Sequence, residues 1–124
     1  MKEIIATEKA PAAIGPYSQA TAANGLVFVS GQLPADPETG AFPDDVQGQT
    51  RQSLENVKSI LEARGLTMQS ILKTTVYLQH MSDFAAMNEI YASFFEGDYP
   101  ARAAFEVAAL PKGALVEIEA VAAE

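Results

Sequence analysis

Ala114-Leu115-Val116-Glu117-Ile118-Glu119-Ala120-Val121-Ala122 decides the architecture. Side chains alternate across a strand with a period of two. Val116, Ile118, Ala120 and Ala122 therefore line one face, and Leu115, Glu117, Glu119 and Val121 line the other. The first set suits a covering layer of helices. The second mixes carboxylates with apolar groups. That face is neither an ordinary core nor a fully solvated surface; it reads either as a partly apolar solvent face or, as the favoured reading, an oligomer interface.

Two segments supply the covering layer. Asp44 or Asp45 caps a helix whose Val46, Thr50, Ser53, Leu54, Val57, Ile60 and Leu61 recur at helical spacing until Gly65 stops it. Ser82 or Asp83 caps a second, with the stripe Phe84, Met87, Ile90, Tyr91, Phe94 and Phe95. Gly97 ends it and Pro100 bars a restart. Residues 70–78, rich in β-branched and aromatic side chains, predict a buried strand. Residues 102–109 predict another, joined to the last strand around Leu110-Pro111-Lys112-Gly113. Asn24-Gly25 marks a hairpin between residues 17–22 and Leu26–Ser30. Residues 9–16 and 34–43, broken by proline and glycine, predict loops, and Ile4-Ile5 is a candidate further strand. The order is β-β-α-β-α-β-β. It predicts one α+β domain over residues 1–124, with a mixed sheet and two helices on one face.

Composition removes several functions. The chain has 124 residues, no cysteine and one histidine. Thiolate nucleophiles, disulfides and His-rich metal sites are excluded, and no glycine spacing suits a nucleotide phosphate. The net charge is −8, and the eight basic residues are scattered, which argues against nucleic acid as a partner. No stretch is long and apolar enough for a membrane span, and the first residues lack the apolar core of a signal peptide. The expectation is a cytoplasmic protein without a cofactor.

A few residues could carry chemistry. Arg102 follows a proline-fixed turn and opens a strand beside the small Ala104. It suits bidentate binding of a carboxylate, or else a structural ion pair with Glu106 or Glu117. Glu117 and Glu119 share a hidden face, where burial would raise a carboxyl pKa toward the range useful for proton transfer, unless they are solvated or paired. Tyr17 is aimed by the stiff Gly15-Pro16 step. Ser30 and Gly31 end a strand, and Asn88 sits on the second helix. Ser30 lacks the surroundings of a serine nucleophile, and His80 reads as an exposed turn residue.

Longer motifs bring a family into view. Ala10-Pro11-Ala12-Ala13-Ile14-Gly15-Pro16-Tyr17-Ser18-Gln19-Ala20 resembles the N-terminal signature of the Rid/YjgF proteins, and Ser30-Gly31-Gln32-Leu33-Pro34 their second motif. Pro100-Ala101-Arg102 through Leu110-Pro111, followed by Val116-Glu117-Ile118-Glu119-Ala120, resembles their C-terminal signature. The likeness runs nearly end to end, and Arg102 is the mark of the RidA subgroup. It implies a chorismate-mutase-like fold in which three subunits pack their sheets into a barrel, with active sites in clefts between subunits. It also implies hydrolysis of reactive enamines and imines, such as 2-aminoacrylate, to a 2-keto acid and ammonia.

By that resemblance Arg102 holds the substrate carboxylate and Glu117 activates water, while Tyr17, Ser30, Gly31 and Asn88 line the cleft. Arg102 and Glu117 are expected from one subunit, with Tyr17 and Asn88 as candidates for the neighbour's contribution. No metal or cofactor is implied, and the partners are small 2-imino or 2-keto acids. Many relatives have cysteine where this chain has Ala104, so thiol-linked regulation is lost here. The family has also been described as translation-inhibiting endoribonucleases. A non-catalytic, small-carboxylate-binding or chaperone-like trimer is a third reading.

Overall fold

The structure, a computed structural model, describes all 124 residues. Its strands are β1 (Glu3–Ile5), β2 (Ala20–Ala23), β3 (Leu26–Gln32), β4 (Ile71–Leu78), β5 (Ala101–Glu106) and β6 (Val116–Ala123). Its helices are α1 (Val46–Glu62) and α2 (Phe84–Ala92). One sheet results, in the order β1-β2-β3-β6-β4-β5. Only β4 and β5 are parallel. This is the expected α+β fold with a mixed sheet, and Ile4-Ile5 does form a strand.

The alternation in β6 holds along its length. Val116, Ile118, Ala120 and Ala122 are buried, whereas Glu117, Glu119 and Val121 are half-buried. The buried set meets Leu54, Val57, Ile60 and Leu61 of α1 in one continuous core with Val27, Val29, Val76 and Leu78. Each valine, leucine or isoleucine among them contributes roughly 1.5–3 kcal/mol through removal from water. The opposite face carries Phe28, Tyr77, Phe105 and Val121, with Phe28 and Phe105 nearly half exposed. The second sheet face is therefore partly apolar, as its sequence implies.

Several boundaries differ from expectation, for local reasons. The hairpin strand starts at Ala20 rather than Tyr17, because the buried Gln19 side chain ties down the preceding loop. It accepts from Thr7 N at 2.7 Å and donates to Thr7 O, Ala10 O and Pro11 O. Asp45 caps α1, its Oδ1 accepting from Gly48 N at 2.7 Å. No side-chain cap starts α2. A tight turn, Met81–Asp83, feeds it with Asp83 already in helical geometry. The helix stops at Ala92, where Ser93 Oγ donates back to Ile90 O at 2.6 Å and the chain continues in three-residue turns to the buried Phe95. β5 ends at Glu106, and Leu110 N is then taken by Gln79 Oε1. The turn before β6 is fixed by positive φ at Lys112 and Gly113.

Candidate active site

β5 is an edge strand, and Arg102 near its start pairs with Thr74 of β4. Thr74 in turn opposes Ala120, so parity turns Arg102 toward the helix-covered face. There it meets a stripe of α2 spaced i, i+4, i+7. Its Cζ lies 5.4 Å from the Phe84 ring centroid and 4.7 Å from that of Tyr91. Its Nη1 donates to Asn88 Oδ1 at 2.6 Å. The expected alternative, an ion pair with Glu106 or Glu117, is not formed. Both ion pairs in the chain belong to Arg64, and Glu106 Oε1 instead accepts from Met81 N at 2.7 Å. Arg102 is thus a partly buried cation held by two rings and one neutral acceptor. A cleft of about 440 Å³ adjoins it, lined by Asn88, Tyr91, Ala92, Tyr99 and Pro100.

Glu117 occupies the other face. It opposes Tyr77, which opposes Phe105, and none of these shares a side with Arg102. The physical reason is the pleat: residues directly across a ladder share a face, and neighbours along a strand do not. The assignment of Arg102 and Glu117 to one cleft of a single chain therefore fails, and Asn88 stands with Arg102 rather than opposite it. Burial raises the Glu117 carboxyl above the ordinary carboxylate range, and the like charge of Glu119 raises it further. Burial also pushes the Tyr77 phenol up, with Glu119 adding to it.

Of the remaining residues, Gly31 lies against Glu117, Ser30 adjoins Gly31 in the chain, and Tyr17 lines one cleft with Gly31. The register of β3 against β6 shifts between Val29 and Gln32, which places a bulge at Ser30-Gly31. Bulges re-aim side chains. Here the bulge lets the Glu117 carboxyl lie directly against the Gly31 backbone, where a Cβ would overlap its Oε2 and sit 3.0 Å from Cδ. Ser30 has a positioning job. Its Oγ donates to Ser18 O at 2.6 Å and its N–H to Gln19 O at 2.9 Å, fastening the loop that carries Tyr17. Tyr17 is half exposed and follows Gly15, whose φ of 124° only glycine adopts readily. A cleft of about 510 Å³ runs past Tyr17 and Gly31 to Pro111 and Lys112. It shares no lining residue with the cleft at Arg102.

Gly31→Ala is expected to leave the fold intact, because the carboxyl that must yield is the end of a flexible side chain. Stability should fall by about 1 kcal/mol in urea titration, the low end for overpacking. The Glu117 carboxyl should move, and its titration followed by NMR should return toward the ordinary range.

Other supports escape sequence reasoning. Gln49 donates to Pro43 O at 2.9 Å and accepts from Leu115 N at 2.8 Å. Asn56 donates to Leu33 O and Ala35 O. With Gln19, these buried amides hold the unstructured walls around Gly31 and β6. Their polarity suggests solvent, and the only sequence signal was the place of Gln19 within the N-terminal motif. Phe84 and Tyr91 read as helix core, yet they also flank Arg102.

Comparison with known proteins agrees with this geometry. The family model described as Endoribonuclease L-PSP matches residues 7–124. A RutC family protein of Pyrococcus horikoshii is 55% identical, the match covering 98% of each chain. The 2-iminobutanoate/2-iminopropanoate deaminase of Salmonella typhimurium is 53% identical, again over 98% of each. The crystal structure of Escherichia coli TdcF with bound serine superposes with a TM-score of 0.95 at 49% identity, covering 98% of both chains. With motifs, fold and full-length identity in agreement, the chain belongs to the Endoribonuclease L-PSP family, the Rid/YjgF proteins.

Proposed function

We propose that this protein is a 2-imino acid deaminase, hydrolysing short enamine or imine intermediates to a 2-keto acid and ammonia. The observation that carries this is Arg102. A partly buried guanidinium with no carboxylate partner, and with Nε and Nη2 free of protein acceptors, awaits an anion of its own. The name of the Salmonella relative supports a 2-imino acid, and serine bound to the E. coli relative supports a small ligand with a carboxylate.

The chemistry needs little more than placement. An enamine tautomerises to an imine whose carbon is electrophilic. The Arg102 fork fixes the carboxylate, and so the carbon next to it. Water adds to the carbon of the protonated imine while Glu117 takes one water proton, which gives a neutral carbinolamine. Glu117 passes that proton to nitrogen. The carbinol O–H then gives up its own proton to the Glu117 carboxylate as C=O forms and the C–N bond breaks. Ammonia leaves, and Glu117 returns the last proton to solvent.

Since Arg102 and Glu117 occupy opposite faces of one chain, a working cleft is completed by a second copy. One copy offers Arg102 and Asn88; its neighbour offers Tyr17, Ser30, Gly31 and Glu117. A closed ring of three copies, in the cytoplasm, is the assembly we propose, and it would cover the partly apolar sheet face. Light scattering should give about three times 13.2 kDa.

The pH dependence follows from Glu117. It must be ionised to accept a proton, so activity should fall as pH drops through its raised pKa, above the ordinary value of 4.5. Glu119→Gln removes one of the two causes, and the acid limb of the kcat/KM profile should move to lower pH. An unmoved limb would assign it to another group. The stability sign is the reverse of a salt-bridged carboxylate. The folded state binds this proton more tightly, so ionised Glu117 costs stability; the cost begins to fall as pH drops through the raised pKa and is gone below the ordinary value of 4.5.

The reading is tested by adding the purified protein to a serine or threonine dehydratase reaction and timing keto-acid release. Faster release is expected. Binding of a keto acid without acceleration would indicate a carboxylate-binding protein, and cleavage of RNA by the purified chain would support the endoribonuclease reading.

A further inference from the structure

We infer that Tyr91, pinned by Thr74, is a positioning residue that sets the affinity for the ligand carboxylate by stacking on Arg102; this rests on the proposed role of Arg102. Three observations converge on it. The Tyr91 ring lies 4.7 Å from Arg102 Cζ, closer than Phe84 at 5.4 Å. The Tyr91 hydroxyl and Thr74 Oγ1 share a buried hydrogen bond of 2.6 Å. Thr74 is the register partner of Arg102 on the neighbouring strand. The ring is thus fastened, through its far end, to the strand position beside the cation it faces.

This arrangement solves a specific problem. An arginine that must bind an anion has to be held still without being neutralised. An aspartate or glutamate would hold it but would occupy the charge and compete with the ligand. Aromatic faces attract a guanidinium without cancelling its charge. Asn88 ties Nη1 with a neutral oxygen, so the cation is orientated by one acceptor and two rings while Nε and Nη2 remain available. Pre-ordering a long side chain removes part of the entropic cost of binding. Burial pushes the Tyr91 phenol above its ordinary value despite the pull of Thr74 and Arg102, so the slot does not acquire a competing negative charge. The α2 spacing that brings Phe84, Asn88 and Tyr91 to one side is the same spacing that builds its core stripe.

The probe is 2-oxobutanoate, a non-reactive keto acid, titrated onto the purified assembly. Tyr91→Leu should weaken its binding about tenfold, within the range of a desolvated cation–π contact. Tyr91→Phe restores the ring and should stay within about threefold of the wild type. In an Arg102→Gln background, Tyr91→Leu should change binding no further, because the group it positions is gone. Equal weakening with and without Arg102 would overturn the inference and make Tyr91 a packing residue. Should Tyr91→Leu fail to fold, Thr74→Val frees the hydroxyl at nearly constant shape. It should raise KM about threefold with kcat unchanged, a contribution of one lost hydrogen bond; an unchanged KM would overturn the inference. The two readings also fail separately. A wild type that binds 2-oxobutanoate without deaminating overturns the proposed reaction but not the slot. A deaminase whose affinity ignores Tyr91 and Thr74 overturns the slot alone.

Discussion

Arg102→Lys is expected to lower kcat/KM for 2-iminobutyrate by about a hundredfold while leaving the assembly folded. Lysine keeps the charge and loses the planar fork. One of two charge-assisted bonds to the carboxylate goes with it, as does the flat cation within reach of the Phe84 and Tyr91 rings. The ammonium also cannot satisfy Asn88 Oδ1 and a ligand in one plane. Because Arg102 makes no ion pair, the substitution removes no internal charge partner. Thermal unfolding should therefore shift by only a few degrees, and the loss should be read in kinetics and in 2-oxobutanoate affinity. A folded variant with near-normal turnover would contradict the carboxylate clamp.

Glu117→Gln should reduce kcat by about two to four orders of magnitude, the usual range for losing a general base. Affinity for 2-oxobutanoate should change far less, since the amide keeps the shape beside Gly31 and loses only the capacity to take a proton. Replacing a carboxylate that is half-buried and beside Glu119 also removes a cost, so the variant should unfold at a higher temperature at neutral pH. Glu119→Gln shares the strand face and the charge change, but the carboxyl that reaches the Gly31 backbone is that of Glu117. It should retain most activity. Greater damage from Glu119→Gln would mean that the wrong carboxylate has been given the water.

The sheet was legible because β6 writes its two faces in different alphabets, valine, isoleucine and alanine against glutamate. The α1 boundary was legible through Asp45, a local cap whose bond to Gly48 depends on nothing distant. Tyr17, Gly31 and Arg102 were legible as points but not as a constellation. Parity within β5 and β6 says which residues of each strand share a side. It does not say how the two strands register on β4, and that pairing is what sends Arg102 and Glu117 to opposite faces. The end of α2 was missed because Phe94 and Phe95 continue its apolar rhythm after the backbone has left the helix. The buried amides Gln19, Gln49 and Asn56 were missed for a deeper reason. Their partners are loop carbonyls, brought within reach only by the completed fold.

A cleft divided between copies makes a quantitative claim about mixtures. Arg102→Ala and Glu117→Gln subunits, each inactive alone, can be co-expressed with different tags and the hybrid assemblies isolated. In a closed ring of three, every hybrid, whichever chain is in the majority, has about one interface in three with an intact Arg102 on one side and an intact Glu117 on the other. About a third of wild-type activity should return. Verified hybrids no more active than their parents would show that one chain supplies both groups, and would contradict a site assembled between copies.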